Sequence, residues 1–361
     1  MIKKKINKYL LDHRCTLLGV GPMSLNCVDA TIELANEYLV PLMIIASRRQ
    51  IDSDDFNGGY VNNWTTSKFA EYVKVRDKSE NILLARDHGG PWQNDLERKN
   101  KMNLADAMES AKKSFKADID SGFKILHIDP SIDIHNKPTT SEILERVFEL
   151  YEYCCNYAKS AKKDIIFEIG TEEQSGTTNS PEELELTLDK ISKFCKKYKI
   201  PTPTFVVVQS GTLVKEMSNV GTFDLPFRIQ NQLPAEISIP QMIKICEKYN
   251  VMMKAHNCDY LSNSALNYHP KLGVHAINVA PEFGVVESKS IFNQLKKNNL
   301  NHLLKEFINL SYDSKKWIKW MKTNSNATKK EKALISGHYI FSSERFKEIY
   351  SEAKRSLRKK K

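Results

Sequence analysis

Long apolar runs are missing from this sequence. No uninterrupted stretch approaches the ~20 residues that span a bilayer, which excludes a helical membrane-spanning protein. Glycine and proline are few, 14 and 13 in 361 residues, so collagen-like and low-complexity chains are excluded. No Cys-x-x-Cys pair occurs among the seven cysteines, Cys15, Cys27, Cys154, Cys155, Cys195, Cys246 and Cys258. Zinc-ribbon and thioredoxin-like readings fall with that absence. Scattered cysteines in apolar segments read as reduced, buried thiols of a cytoplasmic protein. The basic start, Met1–Lys8, leads into an apolar stretch broken by Asp12, His13 and Arg14, which is not a secretory signal. The basic runs at the two ends, Lys3–Lys5 and Lys354–Lys361, lack aromatic residues. A single-strand-binding groove interleaves the two. The net charge of +10 is therefore read as solvated tails, with no nucleic acid and no membrane as partner.

A regular beat of strand then helix is present instead. The 41% apolar content excludes disorder, and a chain of this length can bury a core without disulfides or metals. Strands are expected at Cys15–Pro22, Leu42–Ser47, Ile82–His88, Lys124–Ser131, Asp164–Glu173, Thr204–Gly211, Val251–Asn257 and Gly273–Pro281. Helices are expected at Leu25–Tyr38, Thr66–Asp77, Ala105–Ser121, Ser141–Ala161, Pro181–Tyr198, Pro240–Tyr249, from Ser262, and from Ser288 to about Leu310. Short continuous apolar strands are those of a parallel sheet covered on both faces. Strict alternation forces right-handed crossovers, and eight units is the count of a (β/α)8 TIM barrel. A doubly wound open sheet ranks second. The barrel is expected over residues 1–314, followed by a helical C-terminal extension with a basic tail over 315–361. Gly19-x-Gly21-x-x-Ser24 follows the first strand but lacks a third glycine and a ribose-binding acid ~20 residues on, which argues against a dinucleotide turn.

Barrel active sites sit at the C-terminal ends of the strands, and six strands deliver polar groups there. They are Asp87 and His88; His127 and Asp129; Glu168, Glu172 and Glu173; Gln209; His256, Asn257 and Asp259; and Asn278 and Glu282. Imidazoles and carboxylates on one rim suit a divalent cation of the zinc type. Plainer readings stand beside this one. Asp87-His88 fits a helix cap with a loop histidine, and His127 fits a satisfied core histidine. Glu168, inside an apolar strand, needs a metal or a lysine as partner. His275 reads as structural, and His13, His135, His269, His302 and His338 as surface residues.

Seven segments then carry a family resemblance: FNGGYVNNWTTSKFAEYV (Phe56–Val73), ILLARDHGGPW (Ile82–Trp92), GFKILHID (Gly122–Asp129), FEIGTEE (Phe167–Glu173), VVVQSG (Val206–Gly211), KAHNCDY (Lys254–Tyr260) and INVAPEFG (Ile277–Gly284). With the tail GHYIFSSERFKEIY (Gly337–Tyr350), the chain resembles the Z-type subunits of D-tagatose-1,6-bisphosphate aldolase, within the class II aldolase-like barrels. The resemblance implies a TIM barrel and metal-dependent chemistry on a phosphorylated ketose or triose phosphate. It implies Asp87 as the acid/base, with Glu172 or Glu173 assisting. His88, His256 and a supporting Glu168 would hold a divalent metal, zinc first. Asn278 and the backbone near Val279–Ala280 would hold the substrate and its phosphate, and Asp129, Gln209, Asn257, Asp259 and Glu282 are grouped with it as substrate-binding. Two departures are visible. Catalytic class II aldolases place a further metal-binding histidine at the end of strand six, where this chain has Gln209-Ser210-Gly211. Strand seven ends in AHNCDY rather than an HGASG-like phosphate loop. Three functions follow as expectations: an aldolase-type lyase, a non-catalytic subunit that stabilises an aldolase partner, and a sugar-phosphate 4-epimerase working by retro-aldol and aldol steps. A homo-oligomer is compatible with each.

Overall fold

The computed structural model describes residues 1–171, 180–224 and 233–358. Glu172 and Glu173 lie outside the described residues. The barrel strands are β1 (Leu17–Val20), β2 (Leu42–Ser47), β3 (Ile82–Gly89), β4 (Ile125–Ile128), β5 (Ile166–Ile169), β6 (Phe205–Val207), β7 (Met252–Ala255) and β8 (Ala276–Val279). All eight run parallel, each beside its successor. β8 closes on β1 through Leu17–Val20 against Ala276–Val279. This is the expected TIM barrel. An antiparallel ribbon, Val214–Lys215 with Ser218–Asn219, follows β6.

Helices cover the outside because their apolar faces match the strands. Phe115, Val147 and Tyr151 pack with Ile44, Leu126 and Phe167 in one continuous core. Ser–Glu and Thr–Glu capping boxes start three helices, Thr140–Ser160, Pro181–Tyr198 and Lys329–Ser336. Each satisfies two backbone groups that the first turn leaves unpaired. No helix among the described residues is long and apolar enough to cross a membrane.

The structure corrects several boundaries. Helix Ile2–His13 was not expected, because Lys3–Lys5 hide its apolar face. Ile2, Ile6, Tyr9 and Leu10 recur at helical spacing and pack with Leu17, Ile125, Phe205 and Met252 inside the barrel. The single helix expected over Ser288–Leu310 is two, Pro281–Lys297 and Asn301–Asp313, broken where Asn299 takes φ +59°. The helix expected from Pro240 begins at Ala235 and carries Pro240 inside it.

All seven cysteines are free, and five are buried. Burial pushes the Cys27 thiol up to about 11 and the Cys246 thiol up to about 12, so they are unreactive thiols.

Beyond Asp313 the chain forms a 3-10 turn at Ile318–Trp320, helix Lys329–Ser336, a second 3-10 turn at Gly337–Ile340 and helix Glu344–Arg358. Ile340, Phe346 and Ile349 pack on Leu303 and Phe307. The segment also reaches the barrel mouth, where Lys319, Trp320 and Tyr339 line the cavity. Two histidines expected at the surface, His269 and His338, are buried. His338 is held between Tyr60, Tyr339 and Gly284, where an added Cβ would come within 2.6 Å of its ring.

Candidate metal centre

Side chains alternate along a strand, so Asp87 and His88 would be expected to face opposite ways. Both line the cavity at the mouth. The cause is a local irregularity in β3. Its register against β4 shifts between Arg86 and Gly89, and His88 takes φ +46°, a region uncommon for residues other than glycine. A bulge of this kind re-aims side chains beside functional sites, and such backbone conformations cost on the order of 1–3 kcal/mol. Arg86 anchors β3 on the outside through a two-pronged pair with Asp118, at 2.8 and 2.6 Å.

The neighbouring strands supply the other groups. His127 and Glu168 are register partners across β4 and β5. Lys254 and His256 are two residues apart at the end of β7, and both meet Glu168. Lys254 Nζ lies 2.6 Å from Glu168 Oε2, and His256 Nε2 lies 2.9 Å from Glu168 Oε1. His127 Nδ1 lies 3.4 Å from Asp87 Oδ1 and 3.7 Å from Glu168 Oε1. Asn278 Nδ2 is 3.3 Å from Asp87 Oδ1 and 3.0 Å from His256 Nε2. Two overlapping groups result, His88–His127–His256 and Asp87–His127–Glu168–His256, each with ligand atoms within 4.8 Å of one another.

The electrostatics follow from burial and mutual charge. Burial alone would raise the Asp87 carboxyl, but His88 and the other two imidazoles outweigh it and hold Asp87 far below the usual carboxylate range. Burial likewise opposes ionisation of Glu168, but Lys254 and His127 bring it down to about 2. Burial lowers His256, keeping its imidazole neutral, which is the form that ligates metals. His88 goes the other way: Asp87 and Asp129 overcome its burial and raise it to about 9.

The donor set fits a divalent cation. His256 Nε2 faces both an amide nitrogen and a carboxylate oxygen. As an acceptor it suits Asn278 and repels Glu168; as a donor it does the reverse. A cation among these atoms removes the conflict. Asn278 Oδ1 and His127 Nε2 are buried without hydrogen-bond partners, and a Cβ at Gly170 would lie 2.4 Å from His127 Nε2. His127 is half satisfied: its Nδ1 accepts the His88 N–H at 3.1 Å, while its Nε2 has no partner.

The remaining expected residues divide. Asp129 Oδ2 meets His88 Nδ1 at 2.6 Å. Asp259 is buried, and its Oδ1 accepts the N–H groups of Ala280 and Glu282, each at 2.9 Å. Glu282 Oε2 accepts the Tyr260 N–H. Asn257 and Asp259 line the cavity, whose volume is about 260 Å³. Gln209 is buried just beyond β6. His275 Nδ1 accepts the Met253 N–H at 3.2 Å, in keeping with the structural reading. Sequence reasoning missed Lys254, although a lysine within an apolar strand is a signal that it needs a buried partner. It also missed Arg49, Lys319, Trp320 and Tyr339, which no local pattern connects to the mouth.

Solved structures share this fold. A protein from Sinorhizobium meliloti 1021, described as a probable tagatose 6 phosphate kinase, superimposes with a TM-score of 0.73 at 16% identity, covering 95% of this chain and 86% of that one. The fructose-bisphosphate aldolase of Campylobacter jejuni gives a TM-score of 0.51 at 13% identity, covering 94% and 93% of the two chains. The family model "D-tagatose-1,6-bisphosphate aldolase subunit GatZ/KbaZ-like" matches residues 3–343. This chain therefore belongs to the GatZ/KbaZ-like family of D-tagatose-1,6-bisphosphate aldolase subunits.

Proposed function

We propose that this protein is a metal-dependent, aldolase-type enzyme that makes or breaks a C–C bond in a phosphorylated ketose or a related sugar. The observation that carries this reading is the convergence of Asp87, His127, Glu168 and His256 at one barrel mouth, with His88 beside them. Buried charge is expensive unless paired or bound to a metal, and a subunit with only a structural role has no use for such a cluster.

His127, Glu168 and His256 would hold the cation, and His88 would join them on giving up its proton. A divalent metal of the zinc type, when bound, acts as a Lewis acid that offsets negative charge developing on a substrate oxygen. The chain's own residues then move and hold protons. Asp87, kept ionised, accepts the proton of a substrate hydroxyl and returns it in the reverse direction. Asn278 orients Asp87 through the 3.3 Å contact. Lys254 fixes Glu168, and Asp129 fixes His88. Asp259 and Glu282 hold the loop after β7 against the start of helix Pro281–Lys297. Asn257 and Gln209 are assigned to substrate contact, and Glu172 or Glu173 to assisting proton transfer.

A second reading, a non-catalytic partner that stabilises a separate aldolase chain, draws on the family's description as a subunit. One experiment separates the two. The purified chain is offered a panel of ketose phosphates with zinc, manganese or cobalt, before and after chelation. Metal-dependent release of a triose phosphate supports the lyase. Interconversion of two ketose phosphates without release points to a 4-epimerase. No turnover, together with a rise in the activity of a co-expressed aldolase chain, supports the partner role. His256→Ala should lose bound metal while keeping the fold, since strand-end groups contribute little to the core.

A further inference from the structure

The metal cluster occupies only part of the cavity. Arg49, just beyond β2, and Lys319, on the 3-10 turn of the C-terminal segment, also line it, together with Tyr60, Trp320 and Tyr339. Lys319 stays solvent-exposed overall. Its Nζ nevertheless packs 4.5 Å from the Trp320 ring centre and 5.5 Å from that of Tyr339, so the ammonium has a defined place. Arg49 is anchored by Asp95, whose Oδ1 lies 3.0 Å from Nε, and Lys316 meets the same carboxylate at 3.2 Å.

Positive charge is in excess here. Crowding at the mouth, and then the Arg49 guanidinium, hold Lys319 below the ordinary lysine range; Lys316 and Arg98 add to this, and Asp95 opposes it. Three cations and one carboxylate thus act on Lys319. Like charges gathered beside aromatic walls repel one another, and an anion seated among them would relieve that repulsion. Arginine offers a planar fork and lysine a point charge, a pairing suited to a phosphate's oxygens. None of these cations meets the Asp87–Glu168–His256 cluster in the contacts described above.

We propose that Arg49 and Lys319 form the anion seat of this cavity, taking the phosphate of a phosphorylated sugar while its carbon chain extends toward Asp87 and His256. The sugar part rests on the function proposed above; the seat itself does not. The barrel supplies one half of the seat, and the C-terminal segment supplies the other. That segment therefore selects phosphorylated substrates over their neutral parents. The volume of about 260 Å³ lies just below the ~300–1,000 Å³ typical of ligand sites, which favours a monosaccharide over a larger phosphate ester.

Binding of inorganic phosphate to the full-length, chelator-treated protein tests this by calorimetry, free of any assumption about turnover. The wild-type protein should bind phosphate. Arg49→Met and Lys319→Met should each weaken binding about tenfold or more, as expected for a charge-assisted contact. Lys319→Arg should retain binding, which controls for a folding defect in Lys319→Met. Fructose 6-phosphate should bind the metal-free protein more tightly than fructose, and Lys319→Met should erase the difference. No phosphate binding by the wild type, or binding unchanged in both methionine variants, overturns the seat. His256→Ala keeps the two readings apart. It should retain phosphate binding while losing zinc affinity. Unchanged zinc affinity with phosphate binding intact would remove the metal reading and leave the seat standing.

Discussion

His88 Nδ1 and Asp129 Oδ2 stand 2.6 Å apart, joining the bulged end of β3 to the end of β4. That contact engages one imidazole nitrogen and leaves Nε2, which lies 3.8 Å from Asp87 Oδ2, available to the cluster. A carboxylate behind a metal-binding histidine fixes its orientation and its proton, and loss of such a partner usually costs 10–100-fold in metal affinity or activity. Asp129→Asn is expected to weaken zinc binding by about that factor, with the far-ultraviolet circular dichroism unchanged. Zinc affinity equal to wild type would show that His88 needs no support.

Lys254 and Glu168 form a fully buried ion pair. Removing one partner of such a pair costs ~3–5 kcal/mol, because the other is left uncompensated. Lys254→Met should lower the denaturant midpoint accordingly, and Lys254→Met with Glu168→Gln should recover much of the loss. A double variant no more stable than Lys254→Met would mean that the lysine acts through packing, not charge.

Asp87 separates chemistry from architecture. Asp87→Asn should reduce turnover ~10²-fold or more if the residue moves the proton, while bound metal and melting temperature barely change. Loss of stability in step with activity would make Asp87, which lies within β3 and caps no helix, a structural residue of that strand.

His338 sets an acid limit on stability. Burial, then the nearby Lys319, depress its pKa to about 3 from the ordinary 6.5, and neither ring nitrogen has a hydrogen-bond partner. The unfolded chain binds the proton more readily. The neutral ring's contribution is therefore complete above pH ~6.5 and shrinks as pH falls toward 3, by about 2 kcal/mol between pH 7 and 5. Thermal melts from pH 7 to 5 should show a shallower acid decline in His338→Leu. Parallel declines in the two proteins would assign the acid sensitivity to other groups.

The barrel was legible because each strand is a short apolar run and each helix opens on a clear cap, as at Ser180. The rim was legible in outline, since Asp87, His88, Glu168 and His256 sit at strand ends. His127 was legible only in part, because strand alternation says which face a side chain takes, not that one ring nitrogen accepts the His88 N–H while the other finds no partner. Lys254 was missed because its meaning depends on Glu168, 86 residues away. Arg49 and Lys319 meet only after the whole barrel has closed, and no periodicity encodes that meeting. Helix Ile2–His13 was hidden because its many lysines dilute the helical spacing of Ile2, Ile6, Tyr9 and Leu10.

The last wall of the cavity also bears on how the protein is made. The eighth strand ends at Val279, and the cavity still waits for Tyr339, 60 residues later. At ~5–20 residues per second, a ribosome needs ~3–12 s to deliver them. Until Trp320 and Tyr339 have been added, the cavity lacks its last wall. Completion of the cavity is thus among the final events of synthesis, and a chain released before Tyr339 would carry Asp87, His88, His127, Glu168 and His256 without the wall that finishes the cavity.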